Sequence, residues 1–327
     1  MINFVSKFTK QLEEALSIGE NSSLNSCDKN FQNIVISGLG GSGIGGKIIS
    51  QLIESKINIP IVVNSTYSLP NFVNENSLVI ISSYSGNTEE TLFVMKEAIK
   101  AKAEIACITS GGEVLELAKA NNLNHIIVPG GNPPRSMLTY SLVQLFYLLE
   151  NYGFASNTFK NDFKNAIELL NSDIENIKYE SNKIAEQIEK TIPIIYTDST
   201  YEGVGTRFKQ QLNENAKILC FNHVIPEMNH NELVGWAGGS EKYSVIFLRN
   251  KTDFSRNQVR MEESKRIISE YTKNISEVFS KGESEIEKTL YLILFTDWIS
   301  VYLADIYKVD SIEVNVITGL KNELSKL

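Results

Sequence analysis

The sequence predicts an α/β fold built of two subdomains, each a doubly wound, mainly parallel sheet flanked by helices. Three observations carry that expectation. Short apolar runs such as Ile34, Val35 and Ile36 alternate with stretches of helical period, the pattern of strands covered on both faces. The order strand, glycine-containing turn, helix occurs twice, opening near Ile34 and again near Ile192. A chain of 327 residues, 42% of them apolar, is long enough for about two domains with their own cores.

The elements follow in order. An amphipathic helical pattern ends near Ile18, and Ile34–Ser37 is the first strand, running into a glycine cluster. Helical spacing through Ile48, Ile49, Leu52 and Ile53 follows it. Further strands are expected at Ile59–Val63, Leu78–Ser82, Glu104–Ile108 and Ile126–Val128. Helices at Glu89–Lys100 and Glu113–Ala120 separate the last three, and an apolar helix from Leu138 to Glu150 closes this half. Residues 154–190 are polar and helical in rhythm, a linker carrying helices. The second half opens with a strand at Ile192–Tyr196, then Gly203, Val204 and Gly205 and a helix through Leu212. Strands at Ile218–Phe221 and Tyr243–Leu248, a charged helix from Asn257 to Tyr271 and an apolar helix at Leu290–Ile306 complete it. The division is therefore 1–153, a helical linker 154–190, and 191–327.

Charge and cysteine content narrow the function. The net charge of −8, from 31 Lys+Arg against 39 Asp+Glu, lacks the basic footprint of a nucleic-acid binder. A small anion is not excluded, because a few donors in a pocket override the global field. Cys27, Cys107 and Cys220 match neither a disulfide framework nor a zinc spacing and suit a reducing, cytoplasmic setting. The first residues lack the apolar core of a signal peptide. Asp297 and Asp305 interrupt the most apolar stretch, which fits a buried core helix rather than a membrane span. Neither nucleic acid nor membrane is an expected partner.

Three loops can hold a phosphate. Residues 38–46 contain six glycines and include Gly41 and Ser42. Such a loop lets backbone N–H groups converge at a helix N-terminus, where the macrodipole favours an anion. Gly38, Gly40 and Gly43 also match the dinucleotide pattern G-x-G-x-x-G, but Asn64 and Ser65 stand where a ribose-binding carboxylate is needed. Close packing of helix on strand is the remaining reading of these glycines. The second loop, 82–88, places the hydroxyls of Ser83, Ser85 and Thr88 beside Gly86 at a strand-to-helix turn. A helix cap explains one such hydroxyl; a phosphate site explains all three. The third loop, 130–135, ends Pro133, Pro134, Arg135, and its arginine is either a planar fork for an anion or developing oxyanion, or a solvated surface residue.

These segments carry a resemblance. Residues 83–91 after the glycine loop resemble the signature of the sugar-isomerase (SIS) domain. Pro133–Arg135, Gln211–Lys217 and Pro226–Trp236 are similar, in order, to motifs of the bifunctional phosphoglucose/phosphomannose isomerase family. The likeness covers nearly the whole chain and implies two SIS-type subdomains. It also implies an aldose–ketose isomerase that interconverts glucose 6-phosphate, and with it mannose 6-phosphate, with fructose 6-phosphate.

That reaction needs a base to move a proton between C1 and C2 through a cis-enediol(ate), a ring-opening group, and donors for phosphate and oxyanion. No cofactor is expected, and the histidines His125, His223 and His230 show no metal-ligand spacing. Helical spacing puts Arg207, Gln211 and Glu214 on one face, a carboxylate beside an amide and a cation. The resemblance makes Glu214 the base, where a lone glutamate would read as a surface residue. It makes His230 the ring-opening group, where a lone histidine reads as structural; His125 and His223 keep that reading. It also carries an active-site lysine onto Lys321, with Lys308 as a competitor. Arg135 is then expected to stabilise the enediolate, with Gly41, Ser42, Ser83, Ser85 and Thr88 on the phosphate. The stretch 309–314 lacks the prolines of the family pattern, which bears on the residue that admits both C2 epimers. A homodimer with the active site near its interface is the expected assembly. A regulatory SIS protein that binds sugar phosphates without chemistry is the alternative, and its usual basic DNA-binding segment is missing here.

Overall fold

The computed structural model of the protein describes residues 1–324 and 326. The chain forms two compact units. The N-terminal unit comprises Ser6–Ser172 with Lys281–Tyr291, and the C-terminal unit Met1–Val5, Asp173–Ser280 and the chain from Leu292 onward.

The N-terminal unit holds five parallel strands: β1 (Asn33–Ser37), β2 (Ile61–Asn64), β3 (Ser77–Ser82), β4 (Glu104–Thr109) and β5 (Asn124–Ile127). Their order is β2-β1-β3-β4-β5, with Ile34 paired to both Ile61 and Leu78. Every residue of β1 and β3 is buried, because helices cover both faces of the sheet, and this is why those strands read as unbroken apolar runs. One covering layer packs Val94, Met95 and Ala98 of the Glu89–Lys100 helix on Val79, Ile81, Ile105 and Cys107. The chain leaves β1 toward β2 on one side and reaches β3 on the other. The loops after β1 and β3 therefore flank a topological switch point, where open α/β sheets bind ligands.

The C-terminal unit repeats the plan with β6 (Ile192–Asp198), β7 (Phe221–Ile225), β8 (Tyr243–Arg249) and β9 (Ile275–Phe279), all parallel and ordered β7-β6-β8-β9. On one face Tyr196, Val245 and Phe247 pack against Met228, Trp236, Met261 and Ile268. Gly205 lets the helix Glu202–Ala216 lie close to β6, since a Cβ there would come 2.9 Å from Thr197 Cγ2. The helix Glu285–Ile306 is long and apolar enough to cross a membrane, but 83% of its apolar window is buried inside the protein.

Two elements differ from the sequence expectation. The strand expected at Ile218–Phe221 lies instead at Phe221–Ile225, an edge strand whose half-exposed Asn222 and His223 hide its pattern. Strand β9 went unpredicted because Ser276 and Glu277 break its apolar run. The units also cut the chain elsewhere than 1–153, 154–190 and 191–327. Phe159–Gln187 is one continuous helix of 29 residues, shared between the units at Ser172/Asp173. Helical period shows that a segment is a helix but not which core receives its apolar face.

Candidate active site

In the N-terminal unit the glycine loop is shorter than the sequence suggests. The helix Gly40–Ile53 begins inside it, leaving Gly38 and Leu39 as the turn. A Cβ at Gly43 would come 2.4 Å from Gly38 O, and one at Gly46 would come 2.8 Å from Ile36 Cγ2. These two glycines therefore serve close approach of helix to strand. Asn64 ends β2 as an amide donating to the Ser68 carbonyl at 3.0 Å, not as a ribose-binding carboxylate.

The loop after β3 brings two of its hydroxyls together. Ser83 is buried and its Oγ donates to Thr88 Oγ1 at 3.1 Å, which leaves the Thr88 proton to be donated onward. Thr88 occupies the residue before the Glu89–Lys100 helix, yet its side chain does not cap it. The first N–H groups of that helix and the threonine hydroxyl thus remain as donors at one place. Ser85 is exposed and its Oγ accepts the Asn87 N–H at 3.3 Å. Gly86, at φ +69°, admits no side chain, because a Cβ would meet Gly111 O at 1.8 Å.

A residue the sequence reading passed over, Tyr84, ties this loop to its neighbours. Its N–H donates to Ser42 Oγ at 3.0 Å, and its carbonyl accepts from Ser110 N at 2.9 Å and Ser110 Oγ at 2.7 Å. Its phenol accepts from Asn132 N at 3.1 Å. The signal was a lone aromatic inside a serine-rich turn. Ser42 is accordingly buried, with Oγ accepting from Tyr84 and its proton still available. Gly41 packs on the proline loop, where a Cβ would come 3.0 Å from Arg135 N. Arg135 itself is 4% exposed in the turn Pro134–Ser136, so it is no solvated surface arginine.

In the C-terminal unit, Glu214 is half-buried near the end of the Glu202–Ala216 helix. The expected catalytic face of Arg207, Gln211 and Glu214 does not form as such. Arg207 Nη2 binds Asp297 Oδ2 at 2.7 Å and Gln211 Nε2 donates to Asp297 Oδ1 at 3.0 Å, all buried. Asn215 continues that row by donating to Ser300 Oγ at 3.0 Å. Positions 207, 211 and 215, four apart, face the apolar helix, and Glu214 lies one residue off their row. The cation and amide therefore anchor the helix that carries Glu214. At its end Lys217 Nζ donates to the carbonyls of Glu214 and Glu313, each at 2.6 Å, clipping the 309–314 segment to it.

His230 is exposed at the end of the turn Glu227–His230. Lys321 is exposed on the helix Asn315–Leu324, and Lys308 follows the end of the apolar helix at φ +55°. His125 binds the Leu123 carbonyl through Nδ1 at 2.8 Å, a structural role. His223 is less ordinary than the sequence indicated. Its Nδ1 lies 2.7 Å from Glu232 Oε2 beside a groove of about 610 Å³, lined also by Phe221, Asn222, Trp236 and Tyr243. Among the described residues no three His, Cys, Asp or Glu side chains are grouped to hold a metal ion.

Comparison with known proteins places this architecture. Residues 177–324 match the bacterial phospho-glucose isomerase C-terminal SIS domain. The chain is 33% identical to the bifunctional phosphoglucose/phosphomannose isomerase of Caldicellulosiruptor bescii, over 100% of this chain and 99% of that one. It belongs to the bifunctional phosphoglucose/phosphomannose isomerase family. A second member, from Aquifex aeolicus, is 35% identical over 90% of this chain and 91% of its own. Membership makes the protein an isomerase. The fold has a solved counterpart in the C-terminal domain of glucosamine-fructose-6-phosphate aminotransferase from Francisella tularensis. That structure has a TM-score of 0.78 at 15% identity, over 95% of this chain and 96% of that one. For a member of this isomerase family, the two units carry different equipment. Hydroxyls and helix N–H groups collect in the N-terminal unit, and the carboxylate and exposed histidine belong to the C-terminal unit.

Proposed function

We propose that this isomerase interconverts glucose 6-phosphate, and also mannose 6-phosphate, with fructose 6-phosphate by proton transfer through a cis-enediolate, without a metal. The observation that carries the reading is the Ser83–Thr88 hydroxyl pair at the N-terminus of the Glu89–Lys100 helix, with Thr88 not spent as a cap and Ser85 exposed in the same loop. That is a site for a phosphate monoester, and the family relationship supplies the sugar.

In this reading Ser83, Ser85, Thr88, Ser42 and the backbone at Gly41 hold the phosphate. His230 and Lys321 move the protons that open the ring. Glu214 takes the proton from C2 of the open aldose, the electron pair forms the C1=C2 bond, and the charge on O1 is stabilised by Arg135. The carboxylate then returns the proton to C1 while the O2 proton passes to O1, which leaves O1 as the C1 hydroxyl and O2 as the ketose carbonyl. The working form is a cytoplasmic homodimer. The test is a coupled assay on both aldose phosphates with and without chelator, beside the Glu214→Gln variant. Activity on both substrates that survives chelator and is lost in Glu214→Gln supports the reading. An unimpaired Glu214→Gln enzyme would falsify it.

A further inference from the structure

We infer that Glu232 is a positioning residue for His230, held in place by Tyr196 and His223; this rests on the ring-opening role proposed for His230. His230 is exposed, so its place is set by the chain on either side of it. Upstream, Met228 is fully buried and Asn229 Nδ2 donates to Ser264 Oγ at 2.7 Å. Downstream, Glu232 receives a hydrogen bond on each oxygen. Tyr196 Oη donates to Oε1 at 2.5 Å, and His223 Nδ1 stands 2.7 Å from Oε2. Trp236 Nε1 then donates to Tyr196 Oη at 3.0 Å, closing the segment back onto β6.

The donor order makes this a one-way arrangement. The indole can only donate, so the phenol oxygen accepts from it and the phenol proton goes to Glu232. Burial, and next the bond to Glu232, push the Tyr196 phenol well above its ordinary range, so that proton stays in place. On the other side, the approach of His223 Nδ1 to a carboxylate oxygen fixes which ring nitrogen faces Glu232. Two side chains, from β6 and β7, thus converge on one carboxylate two residues from His230, and Trp236 from the following turn holds the first of them. Tyr196 is wholly buried, which gives the chain of bonds a rigid base. The same residues can be asked to stabilise the fold alone, and the experiment separates the two roles.

The experiment is a double-mutant cycle on the full-length enzyme with glucose 6-phosphate, measuring kcat and KM for Glu232→Ala in the wild-type and His230→Gln backgrounds. Spontaneous ring opening keeps the His230→Gln enzyme measurable. Positioning predicts that Glu232→Ala lowers kcat by about tenfold with KM little changed, and by less than about twofold once His230 is gone. Should Glu232→Ala fail to fold, Tyr196→Phe, which keeps the ring in the core, runs the same cycle. Equal losses in both backgrounds overturn the inference in favour of a structural role, as does an unchanged kcat in the wild-type background. If His230→Gln alone keeps full kcat, the ring-opening role of His230 is what fails, and the inference falls with it. If His230→Gln is slow while the Glu232 and Tyr196 variants are not, only the positioning role fails.

Discussion

Arg207 Nη2 lies 2.7 Å from Asp297 Oδ2 with both side chains buried, and this pair fastens the helix carrying Glu214 to the apolar helix Glu285–Ile306. Burial pushes the Asp297 carboxyl up, opposed by Arg207 and Gln211. Removing one partner of a buried pair strands a charge, at a cost of about 3–5 kcal/mol. Asp297→Ala is therefore expected to lose that order of stability in urea unfolding. Replacing both partners, as Arg207→Met with Asp297→Leu, should recover most of the loss. A double variant no more stable than Asp297→Ala would show that the charges themselves are needed.

Glu214 is half-buried and outside that anchoring row, so a glutamine of the same shape leaves the Arg207 and Gln211 anchors in place. Glu214→Gln should lower kcat by about 10²–10⁴-fold, the range for a lost general base, with the thermal midpoint nearly unchanged. Steady-state kinetics beside a melting curve decide this.

The hydroxyls of the β3 loop should act on substrate affinity. Ser85 is exposed, and its side chain accepts the Asn87 N–H at 3.3 Å. Ser85→Ala is expected to raise KM for the sugar phosphate by about tenfold or more, the worth of a hydrogen bond to a charged group. The same substitution should leave stability alone. Ser83→Ala, which also removes a buried bond to Thr88, should cost both affinity and stability.

Burial pushes the thiols of Cys107 and Cys220 up to about 12. Both remain protonated and shielded at pH 8, whereas Cys27 is partly exposed. A thiol reagent should therefore modify one cysteine in the native protein and three after denaturation. Rapid reaction of all three in the native state would contradict this burial.

Acid should weaken the C-terminal sheet through Arg249. This buried guanidinium is bonded by Glu262 and Glu277, and Lys265 Nζ lies 2.9 Å from Glu262 Oε2. The bond to Arg249, and next that to Lys265, hold the Glu262 carboxyl below the ordinary glutamate range. A carboxyl with a depressed folded pKa favours the fold only while ionised. Its contribution is complete above the unfolded value of about 4.3 and lost as pH falls through the folded one. Glu262→Gln should be less stable at neutral pH, with a shallower fall in stability below pH 4. Denaturant titrations at several pH values measure both; because Glu262 is mostly exposed, solvent screening keeps the effect small.

Local chemistry was legible in the chain. The apolar runs of β1 and β3 follow from burial on both faces, and the turn at Ser83–Thr88 bonds within six residues of itself. A run of that length carries its own signal. The edge strand β7 differs from the expectation because Phe221 to Val224 stay exposed or half-exposed on both faces, which erases the apolar run.

Partners far apart in sequence carry no such signal. Nothing in the spacing of Arg207, Gln211 and Glu214 shows that the first two bind Asp297, 90 residues from Arg207. Nor does it show that Glu232 meets Tyr196, 36 residues earlier. The sequence determined the two parallel sheets and the hydroxyl turn, because periodicity and short-range hydrogen bonding depend on neighbouring residues. The tertiary structure alone decided which charges are anchors and which remain for chemistry, because a buried charge must find its counter-charge wherever the fold brings one.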